Sequence, residues 1–391
     1  MKKSIGGAFM VIGTTIGAGM LSLPLITAAS GLMMAVILMV VSWSVMYFTS
    51  LKLLKICSDY PLGVNMTTLI KKKMPGIFQA VFIICYLLLL YALMSAYTTQ
   101  GASLVQLVGG NSYSSFSSTA LDAVVFLLIF GVIVLSTRLS DYINRSFVSI
   151  KLVFFVLCVL AMIAYLHLAH MLAMPISIYA LLYAWPTLLP SFGFQNIVPV
   201  LYEYQKGDIK AIKRSILIGS LSVLVIYIIW IIICLGILPQ SGSFSYASIF
   251  SHGNTLGEFI DMIKHATGSK LINTFLSVFI NISILTSFIC VGLSLYHYIK
   301  DTFKRFNVHI GTVPGFILTF LPPFAFTVFY PQGFILALQY AAIFAVIIFV
   351  FTPLYLDRET RMKPINLYPF ILGLLVIIAQ ILNLSGFSQP F

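Results

Sequence analysis

Charged residues of either sign, and acidic residues above all, are scarce in this sequence. Of its 391 residues only 10 are Asp or Glu and 8% are charged, whereas 60% are hydrophobic. A soluble protein of this length needs far more polar surface to cover its exterior, so a soluble fold is excluded. The net charge of +12 fits the basic residues that orient membrane helices, and no nucleic-acid partner is expected.

The sequence also lacks the residue sets that catalysis or metal binding inside a membrane requires. Its 5 cysteines have no metal-ligand spacing, no HExxH motif is present, and every Asp and Glu lies in a loop or near the end of an apolar run. We therefore expect no enzyme activity, no cofactor and no metal ion.

Long apolar runs recur along the whole chain and leave no room for a separate soluble domain. A membrane-spanning helix needs about 20 apolar residues. The sequence predicts eleven such helices, at about 5–29, 32–56, 76–108, 120–137, 147–169, 178–201, 213–238, 271–299, 311–330, 333–355 and 366–387. Residues 1–391 are expected to form one all-α integral membrane domain embedded in the lipid bilayer.

The basic residues predict how these helices are oriented. With the N-terminus inside, alternating spans leave only Lys264 and Lys270 outside among 22 Lys and Arg residues. Cytoplasmic loops carry an excess of basic residues. The N-terminus is therefore expected to face the cytoplasm and the C-terminus the outside.

Glycine and proline are concentrated in the first and the sixth predicted spans. The first contains the segment 13–19 (GTTIGAG), and the sixth contains the segment 190–199 (PSFGFQNIVP). Each glycine costs a helix about 1 kcal/mol, and proline removes a backbone donor. Both helices are therefore predicted to be discontinuous; the alternative is that the glycines only allow close helix packing.

Paired breaks in equivalent spans indicate two inverted repeats around a transport site. We expect the first repeat at about 5–169, the second at about 178–355, and an extra helix at about 366–387. Freed N–H groups attract a carboxylate, and freed carbonyl groups attract a cation such as an ammonium. The predicted ligand is therefore an amino acid.

Four segments together resemble the bacterial aromatic amino acid permeases: 13–24 (GTTIGAGMLSLP), 144–151 (NRSFVSIK), 190–199 (PSFGFQNIVP) and 320–334 (FLPPFAFTVFYPQGF). The resemblance implies the LeuT-like five-plus-five inverted-repeat fold of the amino acid–polyamine–cation superfamily, with one extra helix. It also implies proton-driven uptake of an aromatic amino acid, with tyrosine the expected substrate, through the bacterial inner membrane.

The superfamily pattern and the dipole argument assign the substrate to the two breaks. The expected carboxylate ligands are the backbone and hydroxyl groups of Thr14, Thr15, Gly17, Ala18 and Gly19. The expected ammonium ligands are the carbonyl groups of Ser191, Phe192 and Gly193, together with the break in the first span. The expected contacts of the substrate ring and its polar edge are Phe192, Phe194, Gln195 and Tyr97.

Lys151 is a charged residue inside the fifth predicted span. The resemblance implies that a lysine here takes the place of the sodium ion of sodium-coupled relatives, so the proton is the expected coupling ion. Its expected partners are Thr286, Ser287 and the carbonyl groups of Gly13 and Ile16. The hydroxyl pair resembles a sodium site and leaves sodium open, and the alternative for Lys151 is an ammonium that reaches back to the cytoplasmic interface.

Other functions stay open on the sequence alone. A carrier of tryptophan or another neutral amino acid, with sodium coupling, belongs to the same class. A channel or uniporter is a more remote alternative, since its pore more readily shows rings of charge or a repeated filter.

Overall fold

Helices form all the regular secondary structure of the described residues, as the sequence predicts. The computed structural model describes residues 2–17, 19–64, 66–109, 116–253, 256–305, 307–357, 364–387 and 390–391. Ala18, an expected carboxylate ligand, lies outside the described residues.

In the first half of the chain the helices are α1 (Lys2–Thr15), α2 (Gly19–Thr27), α3 (Gly31–Ser58), α4 (Met66–Lys73), α5 (Gly76–Gly109), α6 (Phe116–Val134), α7 (Thr137–Met162) and α8 (Leu168–Met171). In the second half they are α9 (Ile178–Ser191), α10 (Val198–Tyr204), α11 (Ile209–Ile237), α12 (Tyr246–Ser251), α13 (Leu256–Thr267), α14 (Lys270–Arg305), α15 (Thr312–Phe329), α16 (Phe334–Val346), α17 (Thr352–Leu356) and α18 (Leu367–Leu384). Short 3₁₀-helices lie at Ala28–Ser30, Ile163–Tyr165, Gln195–Ile197 and Pro364–Asn366, and a π-helical turn, Ile347–Phe351, joins α16 to α17.

Every predicted span falls on helix, and eight helical stretches of the described residues are long and apolar enough to cross a membrane. Three predicted spans do not meet this criterion. The first and the sixth are divided by breaks, and the apolar part of the fourth is the shorter stretch Ser118–Val134. The count of eleven crossings therefore stays a prediction.

The two broken helices lie against each other. α2 packs on α9, α1 packs on α11, and α7 packs on α14. A Cβ atom built on Gly219 of α11 would lie 2.6 Å from the Cβ of Val11, so α1 and α11 approach as closely as glycine allows. This packing brings residues far apart in sequence to one region of the bundle.

The end of α17 is joined to α3 by ion pairs. The buried carboxylate of Asp357 lies 2.9 Å from Lys52 Nζ and 3.2 Å from Lys55 Nζ. Removing one partner of a buried pair leaves the other charges uncompensated.

We expect Asp357→Asn to lower the free energy of unfolding by about 2–3 kcal/mol, because the ion pairs of both lysines with this buried carboxylate are lost. Asp59→Asn is a matched control, since Asp59 pairs with Lys73 at 3.2 Å but is 58% exposed, and it should cost about 1 kcal/mol or less. Thermal unfolding in detergent measures both variants. Equal losses of stability would contradict this account of the Asp357 pairs.

Candidate functional site

The first break is short and lies between α1 and α2. The helix continues through Thr15, and Ile16 and Gly17 are the described residues between the two segments. The Ile16 N–H still donates to the Ile12 carbonyl at 2.9 Å, and the Met20 N–H donates to the Gly17 carbonyl at 3.2 Å. The break is therefore confined to the second half of the glycine-rich segment.

Both threonines expected to support a carboxylate are part of α1. The Thr14 hydroxyl donates to the Met10 carbonyl at 2.8 Å, and the Thr15 hydroxyl donates to the Val11 carbonyl at 2.7 Å. A hydroxyl has one hydrogen to donate, and here the preceding helical turn takes it. Backbone N–H groups at the break are thus better placed than these hydroxyls to bind an anion.

The second break follows α9, which ends at Ser191, and precedes the 3₁₀-turn Gln195–Ile197. The Gly193 N–H donates to the Pro190 carbonyl at 2.8 Å. A Cβ atom on Gly193 would lie 2.9 Å from that carbonyl and 3.0 Å from the ring of Phe349, so only glycine fits. Within the described residues, the carbonyl groups of Phe192 and Gly193 accept no hydrogen bond, which leaves them available to a cationic ligand.

Gln195 is fully buried and holds the second break against α3. Its Oε1 accepts a hydrogen bond from the Phe194 N–H at 3.0 Å. Its Nε2 donates to the Thr49 hydroxyl at 3.0 Å and lies 3.2 Å from the Met46 carbonyl. In this conformation the Gln195 amide is therefore hydrogen-bonded within the protein. Its expected contact with the substrate's polar edge stays a prediction.

One side chain, Tyr227 of α11, bridges the two breaks. Its hydroxyl lies 2.8 Å from the Thr15 carbonyl and 3.0 Å from the Ser191 carbonyl, and it shares one donated hydrogen between them. A Cβ atom on Gly19 would lie 3.7 Å from the Ser191 Oγ, so the two breaks face each other directly. Sequence reasoning missed Tyr227, because a tyrosine within a long apolar run has the same local pattern as one that faces lipid.

We expect Tyr227→Phe to slow transport of the predicted substrate about tenfold, because the two breaks lose their common donor, and to lower the free energy of unfolding by about 1–2 kcal/mol. Tyr91→Phe is a matched control. It also removes a tyrosine hydroxyl bonded to a carbonyl, that of Leu318 at 2.6 Å, between α5 and α15. Uptake kinetics of both variants should separate them, and equal impairment of transport would remove the special role of Tyr227.

Lys151 of α7 reaches the first break from the other side. The side chain is only 2% exposed, and its Nζ donates to the Ile16 carbonyl at 2.6 Å. Its ammonium group thus lies inside the helix bundle rather than at an exposed surface. Within the described residues no hydrogen bond joins it to Gly13 or Thr286, and the Thr286 hydroxyl donates instead to the Ser283 carbonyl at 3.1 Å.

Ser287 of α14 lies at the same break. A Cβ atom on Gly17 would lie 2.8 Å from the Ser287 Oγ, and the buried Tyr97 phenol of α5 is within side-chain hydrogen-bonding reach of Ser287. One polar cluster therefore lies beside the first break, and it is formed by Ile16, Gly17, Lys151, Ser287 and Tyr97. The roles of these residues in binding and coupling stay predictions.

The two phenylalanines of the second break are buried, each 1% exposed. The Phe192 ring packs on the Tyr227 ring with a centroid distance of 5.1 Å. Apolar and aromatic walls with a few polar groups are what a site for an aromatic side chain needs. The region thus combines backbone N–H groups, open carbonyls and aromatic rings within one part of the bundle.

The sequence matches known proteins over almost its whole length. Residues 1–387 match the tryptophan/tyrosine permease family. The tyrosine-specific transport system 1 of Haemophilus influenzae is 32% identical over 395 aligned positions that cover 100% of this chain and 97% of the relative. The tryptophan-specific transport protein of the same organism is 30% identical, with 98% and 97% covered.

A similar fold is known from a solved structure. The manganese transporter of Eremococcus coleocola, in complex with an aromatic bis-isothiourea substituted compound, superposes with a TM-score of 0.65 at 13% sequence identity, covering 98% of this chain and 86% of that one. This likeness supports the LeuT-like helical fold with discontinuous helices. Because the family match spans nearly every residue and the relatives are transport proteins, this multi-pass membrane chain is a transporter that belongs to the tryptophan/tyrosine permease family.

Proposed function

We propose that this protein imports an aromatic amino acid, tyrosine before tryptophan, by proton symport with alternating access. The single observation that carries the proposal is the pair of facing breaks, whose backbone groups meet at Tyr227. The family membership makes the substrate class an aromatic amino acid, and the relative with 32% identity is named for tyrosine.

The substrate's main-chain groups bind between the breaks. α2 begins at Gly19, and the positive end of its dipole together with its free N–H groups favours the carboxylate. The carbonyl groups of Phe192 and Gly193 favour the ammonium. A ligand that carries both charges a few ångströms apart satisfies both breaks at once, which neither a simple anion nor a simple cation does.

The substrate ring lies among the aromatic residues next to the second break. Phe192 and Phe194 provide apolar surface, and the Tyr97 phenol and the Ser287 hydroxyl beside the first break are polar groups that the substrate's polar edge could contact. One such group can hydrogen-bond to the phenol of tyrosine or to the indole N–H of tryptophan. Tryptophan, the substrate named for the 30% identical relative, is therefore the second candidate.

Proton coupling uses Lys151. An ammonium buried in the bundle, whose partner among the described residues is the Ile16 carbonyl oxygen at 2.6 Å, is costly unless it can lose its proton. When Lys151 is protonated it holds the first break in its present form. When it releases the proton, the Ile16 carbonyl loses this donor and the break becomes free to rearrange.

The two repeats then rock against each other around the breaks. Repeat one covers about 5–169 and repeat two about 178–355, with about 366–387 as an extra helix. The N-terminus is in the cytoplasm and the C-terminus outside, in the bacterial inner membrane, as the distribution of Lys and Arg indicates. Substrate and proton enter from the outer face and leave to the cytoplasm.

Uptake into proteoliposomes tests the proposal. An acidic exterior should drive saturable accumulation of labelled tyrosine above equilibrium, with tryptophan and phenylalanine as the strongest competitors among the twenty amino acids. An imposed sodium gradient at constant pH separates sodium coupling from proton coupling. No accumulation of tyrosine or tryptophan under any gradient would sink the proposal, and equilibration without accumulation would indicate a uniporter.

A further inference from the structure

The structure contains a cavity of about 920 Å³. Its walls come from the end of α5, the start of α6, the first half of α14 and the turn between α15 and α16, and α13 covers it. No residue of either break is among its described lining residues. All the lining segments belong to the end of the bundle at which α2, the second segment of the first broken helix, ends.

Asp122 of α6 is the unusual group in this cavity. It is only 6% exposed, lines the cavity, and its Oδ2 has no hydrogen-bond partner among the described residues. A buried carboxylate without a partner is costly to keep. A cavity lined by a buried carboxylate, one oxygen of which has no partner among the described residues, is the arrangement expected of a site for a cationic group.

Polar side chains of α14 continue the site. Asn273, Ser277 and Asn281 all line the cavity and follow each other at four-residue intervals, which places them on one face of the helix. Amide and hydroxyl oxygens are good acceptors for an ammonium. Asp261 and Lys264 of α13 also line the cavity but are exposed, so Asp122 is the buried charged residue among the described lining residues.

The size and the apolar walls show what kind of cation fits. Cavities of about 300–1,000 Å³ hold small organic molecules, whereas a metal ion needs a compact shell of several oxygen ligands. Ile260, Phe329 and Leu336 provide apolar surface in the same cavity. These walls suit an organic ammonium compound with an apolar part.

We infer that the cavity is a second binding site for an aromatic amino acid, in which Asp122 binds the ammonium group and the ring lies against the apolar wall. This inference rests on the proposed function for the identity of the amino acid. With the proposed orientation the site faces the outside, where it holds a substrate molecule before the breaks receive it.

Equilibrium dialysis of the purified full-length protein with labelled tyrosine tests the inference. The wild type should bind two tyrosines per chain and Asp122→Asn should bind one. The control Asp261→Asn neutralises an exposed carboxylate at the same cavity and should still bind two. Tyramine, which has the ammonium but no carboxylate, should displace one tyrosine from the wild type and none from Asp122→Asn. If the wild type and Asp122→Asn both bound one tyrosine per chain, the second site would be overturned.

Direct binding of labelled tyramine separates this inference from the proposed function. One result would separate the two proposals: tyrosine does not bind, while tyramine binds the wild type at least about tenfold more tightly than Asp122→Asn. The transport proposal then fails and the cation site stands. Tyramine affinity that is equal in both proteins, or displacement of tyramine by sodium chloride but not by choline chloride, would contradict an ammonium site. Thermal unfolding checks the fold of Asp122→Asn. Leu336→Trp, which places a larger side chain in the apolar wall of the cavity, should weaken binding at the second site independently.

Discussion

Lys151→Met is expected to abolish accumulation of tyrosine against its gradient while leaving exchange of tyrosine across the membrane. Methionine keeps the length and the apolar stem of the buried side chain but cannot carry a proton. The bond from Nζ to the Ile16 carbonyl is lost, so the break no longer senses protonation. Counterflow in proteoliposomes measures exchange, and uptake driven by an imposed pH gradient measures accumulation.

The pH dependence of uptake provides the sharper readout for Lys151. Acidification of the outside should stimulate uptake by the wild type and should leave Lys151→Met unaffected, because protons then no longer move with the substrate. Lys210→Met, which removes an exposed lysine at the start of α11, serves as the control and should behave like the wild type. Unchanged pH dependence in Lys151→Met would remove Lys151 from the coupling mechanism.

Gly17→Ala is expected to reduce the uptake efficiency for tyrosine, measured as kcat/KM, by about tenfold to a hundredfold. The added methyl group would lie 2.8 Å from the Ser287 Oγ, and inserting an atom into such a contact costs about 1–3 kcal/mol. Ser287 would have to turn away from Tyr97, and the break would move away from α14. Initial rates of uptake over a range of tyrosine concentrations give the size of the effect.

Gly13→Ala is the matched control for this prediction. Gly13 is within α1, and a Cβ atom there has nothing within 4 Å, so the variant should transport normally and gain up to about 1 kcal/mol in stability from better helix propensity. A second test combines Gly17→Ala with Ser287→Ala, which removes the Oγ and leaves an ordinary contact of about 4.0 Å. Recovery relative to Ser287→Ala alone is expected, and equal loss in Gly13→Ala and Gly17→Ala would contradict the close approach.

The helices and the positions of both breaks could be predicted from the sequence because their causes are local. Apolar runs define the spans, and the glycines of 13–19 and Pro190 weaken the helix where they stand. The extent of the first break was less predictable. One glycine, Gly13, does not end a helix whose neighbouring threonines bond back to the preceding turn.

Contacts between distant helices account for what the sequence analysis did not foresee. Tyr227 meets both breaks only because α11 packs on α1 and lies next to Ser191. Gln195 is bonded to Met46 and Thr49, about 150 residues earlier in the chain, so its direction was not deducible from its position beside a break. Asp122 does lie near a helix end as predicted, but its burial depends on the helices that surround the cavity.

A structure of the protein with bound tyrosine tests the central claim most directly. We predict density for one tyrosine between the two breaks, with its carboxylate at the N–H groups from Gly17 to Gly19 and its ammonium at the carbonyl groups of Phe192 and Gly193. The claim would be contradicted if, at saturating tyrosine, no ligand lay at either break and the amino acid were bound only elsewhere in the bundle.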